Sequence, residues 1–399
     1  MATPEYVTDV VWNGSLGNIS NLNPYAYLQK LNQESTIRFL PVIVFLAVLM
    51  IIGIVGNAIV AVVFCQRKRK SDMDVFLLNL AFLDFLACSF GIPFEITDLC
   101  FSYTFYLPIP CKLLRVLESW TSMASALILV IIAIDRYKHI CRFGERFNRK
   151  KVKILCLVAI CVSGLFSWPI FIIVGKKTIH IETSEIKGVD CSMSDEMGKS
   201  EYPLIYYGLL MFCFILCLVF VIIVYIRIFL FMRRKKAEIQ NHYKTNDIGE
   251  CTPNNGNMAA GDPQSVNLNQ SNAKGMQMHG LQKSGELSLN RNTTISGIHI
   301  TRPTMIFIVI TTAFIISYLP FLVTMLLRNL IRDFEKDLSP SLQVFFKFCI
   351  KTMFINNAIN PVIYGFLCRE FREDVKRLFQ RCACARQSLE QPFRRPSLP

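Results

Sequence analysis

The stretch Ala124-Ser125-Ala126-Leu127-Ile128-Leu129-Val130-Ile131-Ile132-Ala133-Ile134-Asp135-Arg136-Tyr137 decides the fold, because an unbroken run of apolar and small residues ends directly in an acid and an arginine. Such a run is too apolar for a surface helix. Carried back to Cys111 and on to Cys141, it reads as one helix on which Glu118, Ser122, Ser125, Leu129, Ile132 and Arg136 share a face. At about 1.5 Å per residue, Glu118 and Arg136 stand roughly 27 Å apart, close to the hydrocarbon thickness of a bilayer. The helix therefore presents an acid near one membrane surface and an arginine near the other, with a polar stripe between them that must face protein or trapped water. Two snorkelling charges on an ordinary buried helix are the alternative reading at this stage.

Working outward, 52% hydrophobic and 18% charged residues with a mean hydropathy of +0.39 describe a membrane protein. Apolar stretches near or above the ~20 residues needed to span occur at about 39–65, 74–98, 111–141, 152–175, 203–232, 303–330 and 343–367. No repeated half is visible, which argues against an inverted-repeat transporter. Lysines and arginines cluster at Arg67 to Lys70, at Arg142 to Lys153, at Arg233 to Lys236 and from Arg369 to Arg381. All fall on one side, which the positive-inside rule makes cytoplasmic, so the N-terminus is extracellular and the net charge of +14 signals topology instead of nucleic-acid binding.

The polar residues 1–38 form an expected extracellular tail with two glycosylation sequons, at Asn13 and Asn18. No cleavable signal peptide is apparent, so the first span serves as the anchor. The bundle is expected over 39–367, with its cytoplasmic loop at about 237–300 disordered apart from helical extensions. In residues 368–399, Phe371, Val375, Leu378 and Phe379 share one face of a short amphipathic helix lying on the inner membrane surface. Cys382 and Cys384 follow as candidate palmitoylation sites or plain thiols. Most of the fifteen cysteines lie within spans. Of the three near the outer side, Cys111 and Cys191 are the preferred disulfide, with Cys100 free or packed.

Gly56-Asn57, the run Asn79 to Asp84, Cys111, Asp135-Arg136-Tyr137, Phe314, Pro320 and Asn360-Pro361-Val362-Ile363-Tyr364 occur in order in seven correctly oriented spans. The chain thereby resembles the rhodopsin-like (class A) G-protein-coupled receptors, nearest in character to peptide-type members such as cholecystokinin, orexin and RFamide receptors. The resemblance implies an all-α seven-helix bundle that binds an extracellular ligand and activates a heterotrimeric G protein. Arrestin, receptor kinases and membrane lipid are the further partners it implies. Asp84 needs partners inside an apolar span, and Ser125, Asn356 and Asn360 supply oxygens for a sodium ion, a proton or a water network. In the family, equivalent residues resemble an allosteric sodium site. The resemblance also implies that Arg136 is held by Asp135 at rest, and that Tyr225 and Tyr364 swing towards it on activation. Pro320 and Pro361 remove helix donors in spans six and seven and make both plausible hinges.

Departures from the family pattern qualify these expectations. Tyr318 stands for the usual tryptophan of span six and Cys217 for the proline of span five. Span four lacks its mid-helix tryptophan near Ile160, the inner end of span six lacks its acid around Ile300, Thr301 and Arg302, and Phe143-Gly144 replaces the proline after span three. Phe354 occupies the position of the retinal lysine, so the chain is no photoreceptor. Glu118, Ser122, Tyr318, Arg328 and Lys347 are the candidate ligand contacts. Glu118 is neutralised by a proton, by an internal cation (Arg115, Arg328, Lys347 or Lys351) or by the ligand. A peptide is the expected ligand and an amine the alternative; an ion-conducting protein and a non-signalling receptor fold rank lower. No hydrolytic triad or phosphate loop points to an enzyme.

Overall fold

The computed structural model describes residues 23–67, 71–142, 145, 147–181, 186–249, 302–331 and 338–390. Helix α1 covers Pro24–Arg38, α2 Leu40–Gln66, α3 Asp72–Leu86 and α4 Ile92–Cys100. A wide π turn, Ala87–Gly91, joins α3 to α4 as one membrane-length rod. Helix α5 is Pro108–Cys141, α6 Arg149–Ser167, and α7 the short Ile170–Ile173. Strands β1 (Val174–His180) and β2 (Lys187–Met193) form an antiparallel hairpin with Lys176 opposite Cys191. Helix α8 is Tyr202–Gly249, α9 Arg302–Leu330, α10 Pro340–Lys351, α11 Met353–Leu367 and α12 Arg369–Glu390.

Among the described residues, six helices or helix pairs are long and apolar enough to cross a membrane, and the protein is a multi-pass membrane protein. The seventh expected span differs from the expected single helix. The regular ladder is interrupted between α10 and α11 at Thr352, which keeps helical dihedrals and whose hydroxyl lies 2.8 Å from both the Cys349 and the Ser317 carbonyl oxygens, sharing its proton between them. A side chain that binds its own preceding carbonyl competes with the helix ladder at the seam. Helix α8 is unbroken at Cys217, as the missing proline allows.

The chain divides into two compact units, Met1–Ile228 with Thr301–Pro399, and Phe229–Ile300. The first holds the core, in which Leu46, Phe76, Leu80, Ile128 and Ile310 are fully buried. Its helices start where the sequence supplies caps. Ser71 and Asp74 form a reciprocal capping box on α3, and Asn148 caps α6 through the Lys151 amide. Gly56 lets α2 meet α11, since a Cβ there would fall 2.7 Å from Pro361 Cβ. Asn57 donates to the Asn357 carbonyl at 2.8 Å across the same contact. The second unit is described only to Gly249, where the helical extension expected at the start of that loop is seen.

Three expectations need correction or limits. The tail of 1–38 is not all tail, because Pro24–Arg38 is a helix whose Leu28, Asn32 and Ser35 are buried. Asn32 binds the connection after α4 twice, donating to Thr104 Oγ1 at 2.7 Å and accepting from the Tyr103 amide at 2.9 Å. Helix α12 is longer than expected and packs on the bundle. Phe371 is buried against Phe64 and Tyr364, with Val375 and Leu378 beside the same core, while Phe379 is exposed. Asn13, Asn18, Phe143, Gly144, Ile300 and Thr301 lie outside the described residues, as do the side chains of Arg302, Cys382 and Cys384.

Candidate functional site

The disulfide end of the bundle is built around the start of α5. Cys111 and Cys191 are bonded, which fastens β2 to that helix across 80 residues of sequence, while Cys100 is a free thiol. The hairpin is also held from the other side. The Val189 amide donates to the Tyr103 carbonyl at 2.8 Å, and the Phe105 amide to the Val189 carbonyl at 2.9 Å. Together α1, the hairpin and the spans down to Val130 and Thr311 line a cavity of about 700 Å³.

Glu118 lines this cavity, 4% exposed. Its place depends on Gly91 in the π turn, where a Cβ would stand 3.2 Å from Glu118 Cγ. Arg115, one turn earlier on α5, meets Glu118 at 3.3 Å, so the internal pair exists. It is shared, however. The same guanidinium meets Asp98 at 2.8 Å and also pairs with Glu95, both on α4. Glu95 is fully buried and gives its second oxygen to the Lys351 ammonium on α10. Lys351 thus serves Glu95, not Glu118. Three carboxylates share two cations, leaving one formal negative charge over. Asp98 Oδ1 and Glu118 Oε1 are buried atoms with no hydrogen-bond partner among the described residues.

The other sequence candidates converge on the same cavity. Ser122, Tyr318, Arg328 and Lys347 all line it. Arg328 donates to Ser192 Oγ on the hairpin at 2.6 Å, and Tyr318 stacks on Phe314 with centroids 4.5 Å apart. Glu95 and Asp98 were missed, although the sequence carries a signal for them. They are acids at i and i+3 in an apolar span, hence on one face that needs a cation. A third missed residue is Trp120, which donates to the Ile160 carbonyl at 2.9 Å. It joins α5 to α6 beside Gly164, while Trp168 is exposed.

Deeper in the bundle, Asp84 is fully buried and accepts from Asn360 Nδ2 at 2.8 Å. Asp84 Oδ1, Ser125 Oγ, Asn356 Oδ1 and Asn360 Oδ1 are all buried without a hydrogen-bond partner. The contact between Asp84 and Asn360 is the one hydrogen bond among these four described residues, and unmatched buried polar atoms each cost about 1–3 kcal/mol.

At the opposite end of α5, Arg136 is bound by Asp135 at 2.6 Å, and the second Asp135 oxygen accepts from the Phe147 amide at 3.2 Å. The guanidinium also touches Met73 Sδ and stands 5.8 Å from the Phe307 ring centroid on α9. An aromatic face on α9 thus meets the arginine, five residues beyond Arg302. Tyr225 pairs with Thr311 on α9 at 3.3 Å, whereas Tyr364 sits among the Phe64 and Phe371 rings. Tyr137, next to Arg136 on α5, is partly buried.

The comparisons agree with this geometry. Over 137 residues the chain is 37% identical to the neuropeptide S receptor of Mus musculus, covering 33% of this chain and 36% of that protein. Over 345 residues it is 23% identical to neuropeptide Y receptor type 4 of Rattus norvegicus, covering 84% of this chain and 77% of that one. It is 34% identical over 131 residues to cephalotocin receptor 1 of Octopus vulgaris, covering 32% of this chain and 33% of that one. The match thus spans about a third of two of these relatives and about three quarters of the other. The family described as "7 transmembrane receptor (rhodopsin family)", a family of receptors rather than enzymes, matches residues 56–364. With a cavity at the disulfide end, an Asp135-paired Arg136 at the other, and that match across most of the chain, the protein belongs to the rhodopsin family of seven-transmembrane receptors.

Proposed function

We propose that the protein is a plasma-membrane receptor for an extracellular peptide, which it couples to a heterotrimeric G protein, with arrestin and receptor kinases as later partners. The observation that carries this is the cavity of about 700 Å³, walled partly by α1 and the hairpin, lined by Glu118 and reaching down to Val130 and Thr311. An opening framed by a helix and a hairpin suits an extended ligand better than a small amine. Relatives whose names are those of neuropeptide receptors support the same class. On this reading the disulfide end faces outward, in accord with the placement of lysine and arginine in the sequence. Asn13 and Asn18 are then glycosylated, and Cys382 and Cys384 are palmitoylated at the inner surface.

Ligand and G protein favour one conformation and so raise each other's affinity. Asp135 holds Arg136 at rest, and Tyr225, Phe314, Pro320, Pro361 and Tyr364 belong to the elements that rearrange. Sodium at Asp84 would be held by one carboxylate and the neutral oxygens of Ser125, Asn356 and Asn360, a donor set that suits a hard monovalent cation. The deciding experiment is a screen of neuropeptides and biogenic amines on expressing cells, read by calcium, cyclic AMP and arrestin recruitment together. Activation by a peptide is expected. Activation by amines with silence towards every peptide would replace the peptide reading by the amine one.

A further inference from the structure

The cavity does not end at its charged mouth. On α5, α8 and α9 its charged lining residues are Arg115, Glu118 and Arg328, all towards the disulfide end. Past Ser122 on α5, Cys213 on α8 and Tyr318 on α9, in the direction of Arg136, these three helices line it with no charge at all. Val130 stands eight residues past Ser122, about 12 Å deeper, and Thr311 seven residues from Tyr318, about 10 Å deeper. Small side chains open this lower part, since Ala126 and Cys217 line it and are only half-buried. Phe314 supplies an aromatic wall, held between Tyr318 at 4.5 Å and Phe214 at 6.0 Å between centroids. Its one side-chain hydroxyl, Thr311 Oγ1, is already paired with Tyr225 at 3.3 Å. Buried water needs about two to four polar partners, and apolar cavities without them stay dry and accept apolar molecules.

We propose that this lower chamber is a separate subsite for one uncharged, apolar group of aromatic-ring size, held among Ala126, Val130, Cys217, Val221, Thr311 and Phe314. It lies beneath Tyr318, away from the charged residues of the mouth. A charged group is excluded because no counter-ion lines the chamber. A ring is preferred to a plain chain because the Phe314 face offers it an edge or offset stack. Two sources can deliver the group, an aromatic side chain of the extracellular ligand or a free membrane-soluble molecule. The inference rests on the receptor reading only for the first source. An occupant at the floor also touches Thr311, one side chain away from Tyr225.

Cys217 makes the chamber testable in the full-length receptor in nanodiscs, by mass-spectrometric mapping of thiol labelling. Neutral benzyl methanethiosulfonate is expected to label Cys217 faster than the cationic trimethylammonioethyl reagent by about tenfold or more, since the charge must be desolvated. Ala126→Leu fills the space from the opposite helix and should slow benzyl labelling of Cys217 while that of Cys161, an exposed thiol, stays unchanged. The thermal midpoint checks that this variant is folded, and Ala126→Val, a smaller increment, carries the same comparison if it is not. Toluene added beforehand should protect Cys217 if a free molecule fills the chamber. N-acetyl-phenylalanine amide should protect it if the ring arrives on a peptide unit through the mouth. Protection by either supports the subsite and names the source; protection by neither overturns it. Undiminished labelling in a folded filling variant also overturns it, because Cys217 is then reached from the lipid side. None of these probes depends on the natural ligand, so a failed peptide screen would remove the peptide reading and leave the chamber standing.

Discussion

At Gly56 a hydrogen stands where any other side chain would meet Pro361, with a built Cβ at 2.7 Å from the proline Cβ. Gly56→Ala is expected to lower stability by about 1–3 kcal/mol, because neither the ring nor its helix can yield easily. A thermal midpoint in detergent equal to wild type would show that α2 and α11 can part freely. At Asp84 the expected change is functional. Asp84→Asn should make agonist affinity insensitive to sodium, since it removes the only carboxylate from the Ser125, Asn356 and Asn360 oxygens. Unchanged sodium sensitivity would leave those oxygens to water. Residue types alone brought Asp84 and Glu118 to notice, since each is an acid in an apolar run. They gave no hint that Lys351 belongs to Glu95, because that pairing depends on which faces of α4 and α10 meet.

Among the elements, the hairpin and α1 carry the predictions. Closing a loop of 80 residues is worth about 4–5 kcal/mol in the chain-entropy view. Cys111→Ala and Cys191→Ala should each abolish surface expression or ligand binding, and the double variant should be no worse than either. Additive losses would mean that the two cysteines act separately. Asn32→Ala removes both bonds between α1 and the connection after α4. Hydrogen exchange over 24–38 is expected to quicken while the spans keep their protection, with a cost of about 1–3 kcal/mol. Quickening throughout the bundle would instead make α1 part of its foundation. Hydropathy was enough to locate six of the spans, since each of those is long and apolar enough to cross a bilayer. It missed α1, whose sequence is polar and whose burial of Leu28 and Asn32 comes from contacts distant in the chain. It also missed the seam at Thr352, because hydropathy does not register a hydroxyl that turns back on its own helix.

For the whole molecule, the proposed function divides the labour between the two ends of α5. Arg136→Ala should lose G-protein activation while ligand affinity in the uncoupled state changes less than threefold, roughly 0.6 kcal/mol. Loss of ligand binding with normal folding would mean that Arg136 shapes the cavity rather than the partner surface. Phe307→Ala should raise basal signalling, because it removes the aromatic face that meets Arg136. Basal signalling at the wild-type level would assign the restraint to Asp135 alone.

The seam at Thr352 interrupts the regular helix ladder of the seventh span for a single residue whose dihedrals remain helical. The upper segment, α10, is anchored electrostatically through Lys351 to Glu95, and the lower segment, α11, carries Asn356, Asn360 and Tyr364. Because Thr352 keeps helical dihedrals, φ −59° and ψ −26°, a shift of α10 passes to α11 through one tightened turn that is tied sideways to Ser317.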